Sequence, residues 1–428
     1  MAPVDRDAST VPLQSDSSTN LRPRDDEMTH ALRNSSPGAS VSPEATGPPI
    51  ATMGAQNFHG TLLPRLSPSV DAALFDDFRS SPRATPLPCT DDDIATLTQQ
   101  RLSAVALRLA AAGRLQLTAL QVASLRAATF ATTALSLAII NASRQGLDAL
   151  CAGGIPFAIS KGPGLALAGY HPSERPFLDL DLLVPPRHFR HAFAILASLG
   201  YEEAMDSRPP WAWYNLTCRE AVNLRSPGGG SLDLHHHVPP WLWSRAFDLS
   251  SIVTAAHATS LYGYPLPVVQ PADNLLIVSL HIVSDHNKPG ATLMAWRDLL
   301  MMARICDADD VLALAARYRL TGWLRWIIAQ LPPDVRPAAL SLSLTACSSR
   351  PPHHLRLSLL TPPALGSRHM IGQAFRLPFS NAVRYLIGMA FPSPRFLAEH
   401  FPGTPRRYFH WWATSLRRMA HSARTETT

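Results

Sequence analysis

Cysteine and lysine are both scarce in this 428-residue chain. The 5 cysteines are scattered and include no CxxC pair, which argues against a disulfide framework and against a zinc ribbon. The first residues contain no apolar stretch resembling a signal peptide, so we expect a reducing, cytoplasmic location. Only two of the 38 basic residues are lysines, Lys161 and Lys288. A lysine that persists among so many arginines is a candidate for a specific role.

Long hydrophobic runs are missing as well. The most apolar segment, residues 127–140, is 14 residues long, whereas a transmembrane helix needs roughly 20. We therefore predict a buried helix there. With 46% hydrophobic and 16% charged residues the chain is apolar enough for a large core, and 39 prolines exclude a coiled coil.

Composition and periodicity divide the chain into four predicted parts: a disordered leader (1–90), N-terminal helices (91–152), an α+β core with a mixed sheet (153–270), and a helical domain with a basic, aromatic carboxy terminus (271–428). The leader carries 12 prolines and no sustained periodicity. In the second part we predict one helix from Asp91 to the glycine at 113 and another from about Thr118 to Cys151.

The segment RPFLDLDLLV, residues 175–184, contains two aspartates two positions apart. In a strand, alternate side chains share a face, so Asp179 and Asp181 lie on one side and the intervening leucines on the other. Two carboxylates held about 7 Å apart repel each other unless a cation compensates them, and hard cations such as Mg²⁺ prefer oxygen ligands. The alternative is a strand with one acidic, solvated face.

A second strand-like segment, LDLHHHV, follows a glycine-rich turn. Alternation places Asp233, His235 and His237 on one face and His236 on the other. If this strand neighbours the first, three carboxylates meet, as metal-assisted phosphoryl or nucleotidyl transfer requires. The alternative is a surface strand with polar histidines.

Upstream, a short apolar strand leads into Ser160-Lys161-Gly162-Pro163-Gly164. A glycine turn from a strand into a helix presents backbone N–H groups to a phosphate. The glycine spacing matches neither the GxGxxG fingerprint nor a Walker loop.

The order of these segments resembles the nucleotidyltransferase superfamily with the DNA polymerase beta type of palm. The motifs of the chain are similar to those of a bacterial nucleotidyltransferase family with KG, DxDLLV and DLH motifs. The segments that carry the similarity are ISKGPGLA, RPFLDLDLLV, a helix ending in LGY, and LDLHHHV. The resemblance continues through LHIVSDH and WRDLL to RYLIGMAFPSPRFL, roughly residues 95–415. It implies an α+β fold: a nucleotidyltransferase-type mixed-sheet palm with flanking helices and a C-terminal helical domain.

The resemblance also implies roles for individual residues. Asp179, Asp181 and Asp233 would be catalytic and bind Mg²⁺, or Mn²⁺ in its place, with Asp233 completing the metal site or serving as base. The predicted contacts to a nucleoside triphosphate are Lys161, Gly162, Gly164, Arg175 and His235. Lys161 and Arg175 have a structural alternative, which is to neutralise the acidic cluster.

The implied activity is transfer of NMP from an NTP to a hydroxyl, phosphate or amine acceptor. The alternative is a catalytically inactive member of the fold that binds a nucleotide or a partner. Pro163 motivates that alternative, because proline lacks the N–H donor that the superfamily offers after its first glycine. A third hypothesis is a zinc hydrolase, in which His281, Asp285 and His286 join His235 and His237 in a zinc site.

Arginines and aromatic residues alternate near the carboxy terminus. Residues 350–428 contain 11 arginines and 2 glutamates. This pattern is typical of a surface for RNA or for an anionic membrane. We favour a third interpretation, in which the aromatic residues pack on the body and the arginines are solvated.

Overall fold

The computed structural model describes residues 63–81, 85–167, 169–204, 220–238, 247–285, 293–344 and 379–425. Most of the predicted leader, residues 1–62, lies outside this part of the chain, as do residues 213–219 of a strand that the sequence predicts from Trp213 to Arg225.

The described part contains nine strands: β1 Leu87–Pro88, β2 Leu115–Gln116, β3 Ala158–Ser160, β4 Leu180–Leu183, β5 Glu202–Glu203, β6 Ala221–Arg225, β7 Ser231–His235, β8 His257–Leu261 and β9 Tyr264–Val268. Seven of them form one sheet in the order β5-β6-β7-β4-β3-β9-β8. Strand β4 pairs parallel with β7, and β3 pairs parallel with β9, while the other neighbours are antiparallel. The predicted mixed sheet is confirmed.

The same part contains fifteen α-helices: α1 Pro68–Phe75, α2 Asp91–Gln99, α3 Ser103–Ala111, α4 Ala119–Ala152, α5 Lys161–Ala166, α6 Pro186–Ser198, α7 Leu249–Thr254, α8 Pro271–Asp285, α9 Met294–Ile305, α10 Ala308–Arg317, α11 Thr321–Gln330, α12 Ala338–Leu344, α13 Phe379–Ala390, α14 Pro394–His400 and α15 Arg407–Thr425. Helices α2 and α4 begin with capping boxes, in which Thr90 pairs with Asp93 and Thr118 with Gln121.

Two hydrophobic clusters lie on opposite faces of β4. Leu180 and Leu182 belong to the cluster that α4 and α6 cover, whereas Leu183 belongs to the cluster built by helices. That second cluster combines α1 to α3 with α8 to α12, so helices from both ends of the chain form one core. Asp181 alternates with Leu180 and Leu182 and therefore lies on the other face of the sheet, the face of Leu183 and the second cluster.

The folded body begins before residue 90, where the leader is predicted to end. Helix α1 belongs to the folded body, because Leu74 and Phe75 are completely buried in the helical cluster. Arg297 donates to the carbonyls of Ala73 and Leu74, at 3.3 Å each. Eight residues are too few to show a sustained periodicity, so tertiary burial rather than local pattern stabilises this helix.

The sequence predicts one continuous helix over residues 91–113 and another over residues 311–331, and the structure divides both. Arg101 separates α2 from α3 with φ +61°, and Arg319 separates α10 from α11 with φ +57°. In both places the next residue, Leu102 or Leu320, is completely buried and donates its N–H five residues back. Burial of the leucine offsets the cost of a left-handed non-glycine residue, about 1–2 kcal/mol.

Helix α4 also departs from expectation. Only Ser136, Ile139 and Ile140 are buried within residues 127–140, so the predicted buried helix is exposed on much of its circumference. Among the described residues α4 is the one helix long and apolar enough to cross a membrane, by length and composition alone. It is held to the body at its start, where the Gln121 amide donates to the Cys89 carbonyl at 3.1 Å.

Replacing Arg319 by glycine should stabilise the protein. The residue is exposed and left-handed, so glycine removes the steric cost and should raise the free energy of unfolding by about 0.5–1 kcal/mol. The matched control is Arg190→Gly, an exposed residue in the middle of α6, which should cost about 1 kcal/mol. Urea unfolding measures both, and a loss of stability in the Arg319 variant would contradict the explanation.

Candidate functional site

The parallel pairing of β4 with β7 brings the predicted carboxylates together. Its register places Asp181 opposite Asp233, and Leu183 opposite His235. One ligand atom from each of Asp181, Asp233 and His235 lies within 4.8 Å of the others, the arrangement of a metal site. Asp179 lies one residue before β4 and shares the electrostatic environment of Asp181 and Asp233.

Asp181 is the most strongly held of the three acids. Its Oδ1 atom lies 2.6 Å from the Lys161 ammonium and 3.0 Å from Nε2 of His235. Burial would raise the pKa of Asp181, but the charge of Lys161 and the hydrogen bond from His235 outweigh it and hold the pKa well below its usual range. Asp181 is therefore ionised at neutral pH.

His235 donates from Nε2 to Asp181, since its Nδ1 atom is buried and has no hydrogen-bond partner among the described residues. An unprotonated Nδ1 is the less costly atom to leave without a partner. The neighbouring histidine lies elsewhere, because the His236 ring packs 4.2 Å from that of Phe189. The predicted alternation therefore holds for His235 and His236, whereas the His237 ring lies 4.6 Å from that of His236.

The other two carboxylates carry charge that the protein leaves largely uncompensated. Burial, together with the charges of Asp181 and Asp179, raises the pKa of Asp233 to about 6. The Asn223 amide, which donates to Asp233 at 2.5 Å, fixes its orientation. Burial and the charge of Asp181 likewise raise the pKa of Asp179. A divalent cation would relieve this repulsion, so the donor set fits a hard metal ion.

The Lys-Gly turn is held by a residue that the sequence did not single out. Lys161 has φ +48°, and its backbone N–H donates to the Asn274 side chain at 3.1 Å. Asn274 is buried on α8. The amide predicted to face a phosphate is therefore already bonded, although the Lys161 side chain reaches the acidic cluster.

The glycines of the turn have a packing explanation. A Cβ atom on Gly162 would lie 2.8 Å from Cβ of Phe177, and one on Gly164 would lie 3.1 Å from a methyl group of Val268. Both positions lack room for a side chain, whatever ligand binds. Their predicted contact with a nucleotide stays a prediction.

Arg175 is committed to neighbours within the protein. Its Nε donates to Asp298 at 2.7 Å, and an Nη1 donates to the Pro176 carbonyl, also at 2.7 Å. Tyr170 donates its hydroxyl to the same Asp298 oxygen at 3.0 Å. All three side chains are buried. This arrangement favours the structural role of Arg175 over the predicted contact with phosphate.

Arg101 is a cation near the site that sequence reasoning missed. Burial and the charge of Arg175 lower the pKa of its guanidinium, while Asp179 and Asp298 act in the opposite direction. No side-chain hydrogen bond or ion pair joins Arg101 to another residue of the described ranges. The adjacent Gln100 accepts from the Leu293 N–H at 2.6 Å, which fixes this turn against α9.

The histidine-rich zinc site is not formed by the described residues. The single metal-ligating group among them combines two carboxylates with His235 and includes neither His237 nor His281. His281 does contribute to the electrostatics, because its charge would lower the pKa of Asp179. His286 lies outside the described residues.

Replacing Asp233 by asparagine should stabilise the metal-free protein at neutral pH. The folded chain retains the Asp233 proton to a higher pH than the unfolded chain, so the free energy of unfolding falls as the pH rises from about 4 to about 6. Asparagine removes this loss and keeps the oxygen that Asn223 bonds. The gain should grow over that interval and level off on the order of 2 kcal/mol near pH 8.

Urea unfolding in EDTA across this pH range measures the gain. The control is Glu202→Gln, which alters an exposed carboxylate on β5. An equal gain in both variants, or a gain at Asp233 that does not depend on pH, would refute the electrostatic explanation.

No curated protein matches the chain. Similar solved structures include the antibiotic-resistance factor ANT(2'')-Ia, with 16% identity, 43% of this chain and 92% of that chain covered, and a TM-score of 0.30. The lincomycin-bound lincosamide adenylyltransferase LnuA has 16% identity, with 39% of this chain and 97% of that chain covered, and a TM-score of 0.25. An antigenic nucleotidyltransferase-like protein from Paracoccidioides brasiliensis has 19% identity, with 45% of this chain and 91% of that chain covered, and a TM-score of 0.25.

The family described as uncharacterised nucleotidyltransferase matches residues 91–330, which is more than half of the chain. The matched range contains every strand and carboxylate of the site described above. This protein therefore belongs to the uncharacterised nucleotidyltransferase family.

Proposed function

We propose that the protein is a Mg²⁺-dependent nucleotidyltransferase that moves NMP from an NTP to a hydroxyl, phosphate or amine acceptor. The observation that carries the proposal is the parallel register of Asp181 with Asp233, which assembles carboxylates and His235 within 4.8 Å. Family membership supports the same reaction class. Free cysteines at three described positions fit the cytoplasm, where nucleoside triphosphates are abundant.

The metal ligands in this proposal are Asp179, Asp181 and Asp233, with Mn²⁺ as a substitute for Mg²⁺. A bound divalent ion would neutralise phosphate oxygens and lower the energy of the transferring phosphoryl group. The protein's own contribution is an ionised Asp181, which Lys161 and His235 orient through the same oxygen. This fixed geometry needs no rearrangement when charge develops.

The alternative role of Asp233, in place of completing the metal site, is that of general base. A base is most effective when its pKa is near the working pH, and in the metal-free protein the pKa of Asp233 is raised to about 6. In the transfer, the acceptor oxygen or nitrogen bonds to the α-phosphorus and the bond to the β-phosphate oxygen breaks. Pyrophosphate then leaves with its electron pair, and the acceptor's proton passes to Asp233.

Lys161 and Arg101 are the cations we assign to the nucleotide's phosphates. Lys161 lies directly on the acidic cluster. Arg101 is electrostatically linked to Asp179. The predicted contribution of Arg175 is indirect, because its guanidinium is occupied by Asp298. It holds α9 against the segment that leads into β4.

A catalytically inactive, nucleotide-binding member of the family is the second candidate. Two features of the Lys-Gly turn favour it. The Lys161 N–H is bonded to Asn274, and Pro163 has no N–H, so the turn offers few donors to a phosphate. Stoichiometric NTP binding without pyrophosphate release, over a broad set of acceptors, would establish this candidate.

Removing the acidic pair tests the metal and the nucleotide together. In the double variant Asp179→Asn and Asp181→Asn, Mg²⁺-dependent binding of ATP, GTP, CTP or UTP should be lost, and any turnover should fall by at least about 100-fold. Isothermal titration calorimetry with and without Mg²⁺ measures the binding. The control is Asp92→Asn, an exposed carboxylate on α2. Full activity in the double variant would eliminate the mechanism.

Arg101→Gln tests the contact with phosphate separately. Loss of one charge-assisted hydrogen bond should weaken NTP binding by about tenfold or more, while Mg²⁺ still binds. Calorimetry of NTP and of Mn²⁺ alone separates the two effects. Arg126→Gln, which alters an exposed arginine on α4, should leave both unchanged. Unaltered NTP affinity in the Arg101 variant would remove this residue from the site.

A further inference from the structure

The carboxy-terminal helices carry most of the exposed apolar side chains of the described chain. We call α13, α14 and α15 with their connections, Phe379 to Thr425, the C-terminal hairpin. It contains eight of the fourteen exposed large hydrophobic residues: Phe379, Val383, Leu386, Ile387, Phe391, Phe409, Trp412 and Leu416. Such a concentration marks an interaction surface rather than scattered exposure.

The spacing of these residues places them on one side of each helix. In α13 the residues Phe379, Val383 and Ile387 recur every four positions, so they share a face. In α15 Phe409, Trp412 and Leu416 follow the same helical period. Each helix therefore presents a continuous apolar stripe to solvent.

Trp412 joins the two stripes into one surface. Its indole Nε1 donates to the Ala390 carbonyl at the end of α13, at 2.7 Å. Its ring meets that of Phe391 edge-on, with centroids 5.6 Å apart. We call the combined surface the exposed apolar face.

The opposite side of the hairpin is packed. Tyr385, Phe396 and Leu397 are buried, and Phe396 meets Trp411 edge-on at 5.5 Å. The Tyr408 hydroxyl donates to the Pro392 carbonyl at 3.0 Å. The exposed apolar face is therefore the outer side of a folded unit. The interpretation in which all the aromatic residues pack on the body is wrong for Phe409, which is 65% exposed.

The charge around this face has one sign. The hairpin sequence contains seven arginines and one glutamate, a net charge of +6. Arg384, Arg406 and Arg417 are exposed beside the apolar stripes. An occupant that complements this surface combines apolar groups with negative charge.

We propose that the exposed apolar face binds an anionic lipid bilayer, with its side chains in the acyl boundary and its arginines at the headgroups. Amphipathic helices with an apolar face, interfacial aromatic residues and basic flanks bind membranes in this way. Four of the eight side chains are aliphatic, which provides hydrophobic contact but no stacking on the bases of RNA. The inference does not depend on the proposed catalytic activity.

Vesicle co-sedimentation of the full chain tests the proposal. The protein should bind vesicles of phosphatidylcholine with about one third phosphatidylglycerol, and bind pure phosphatidylcholine at least about tenfold more weakly. The double variant Phe409→Ser and Leu416→Ser should lower binding to the anionic vesicles by at least about tenfold. Both substituted residues are exposed, and an unchanged thermal midpoint would verify folding.

A matched control removes equally exposed apolar residues elsewhere. Leu120→Ser with Phe130→Ser, on α4, should leave vesicle binding intact. In a second pair of variants, Arg406→Gln with Arg417→Gln should weaken binding to anionic vesicles only, whereas Arg126→Gln with Arg190→Gln should not.

Four outcomes would overturn the proposal. The first is no binding to anionic vesicles, and the second is loss of binding in the α4 variant instead of the hairpin variant. The third is a dimer that the hairpin variant abolishes, in a protein that does not bind vesicles. The fourth is binding of single-stranded RNA in preference to vesicles.

Discussion

Three carboxylates and one lysine lie together on one face of the sheet, and the surrounding structure has to hold them there. Asp181 and Asp233 lie side by side because β4 and β7 are parallel and in register, and Asp179 adds a third acid next to them. Lys161 forms an ion pair with Asp181, and its charge also acts on Asp179 and Asp233. The remaining negative charge is tolerated only because the strands and helices on both sides hold the acids in place.

The residues that hold the site in place come from distant parts of the sequence. Asn274 on α8 fixes the backbone of Lys161, and Asn223 on β6 fixes Asp233. Arg175, immediately upstream of the acidic strand, is anchored to Asp298 on α9. The helical cluster is therefore part of the site's architecture, since it supplies the partners that orient the residues around the acids.

Sequence reasoning found the acids because strand alternation is a strong local rule. It placed Asp179, Asp181 and Asp233 from their spacing and neighbours. It missed Asn274 and Asn223, because an asparagine that bonds a distant backbone or carboxylate leaves no periodic trace. It also missed the breaks at Arg101 and Arg319, where neither glycine nor proline signals a turn. Those breaks are stabilised by burial of the following leucine, which is a tertiary effect.

The close approach of Gly162 to Phe177 has a mechanical consequence. Phe177 is gripped by α4, because the Ser136 hydroxyl bonds both its N–H and its carbonyl, at 2.9 and 3.0 Å. A Cβ atom at position 162 would lie 2.8 Å from Cβ of Phe177, which is too close. Because Ser136 holds the backbone of Phe177, relieving this contact would displace the chain as far as Asp179, two residues further on. A side chain at position 162 would therefore shift the acidic pair. A glycine there preserves the spacing of the carboxylates independently of any phosphate.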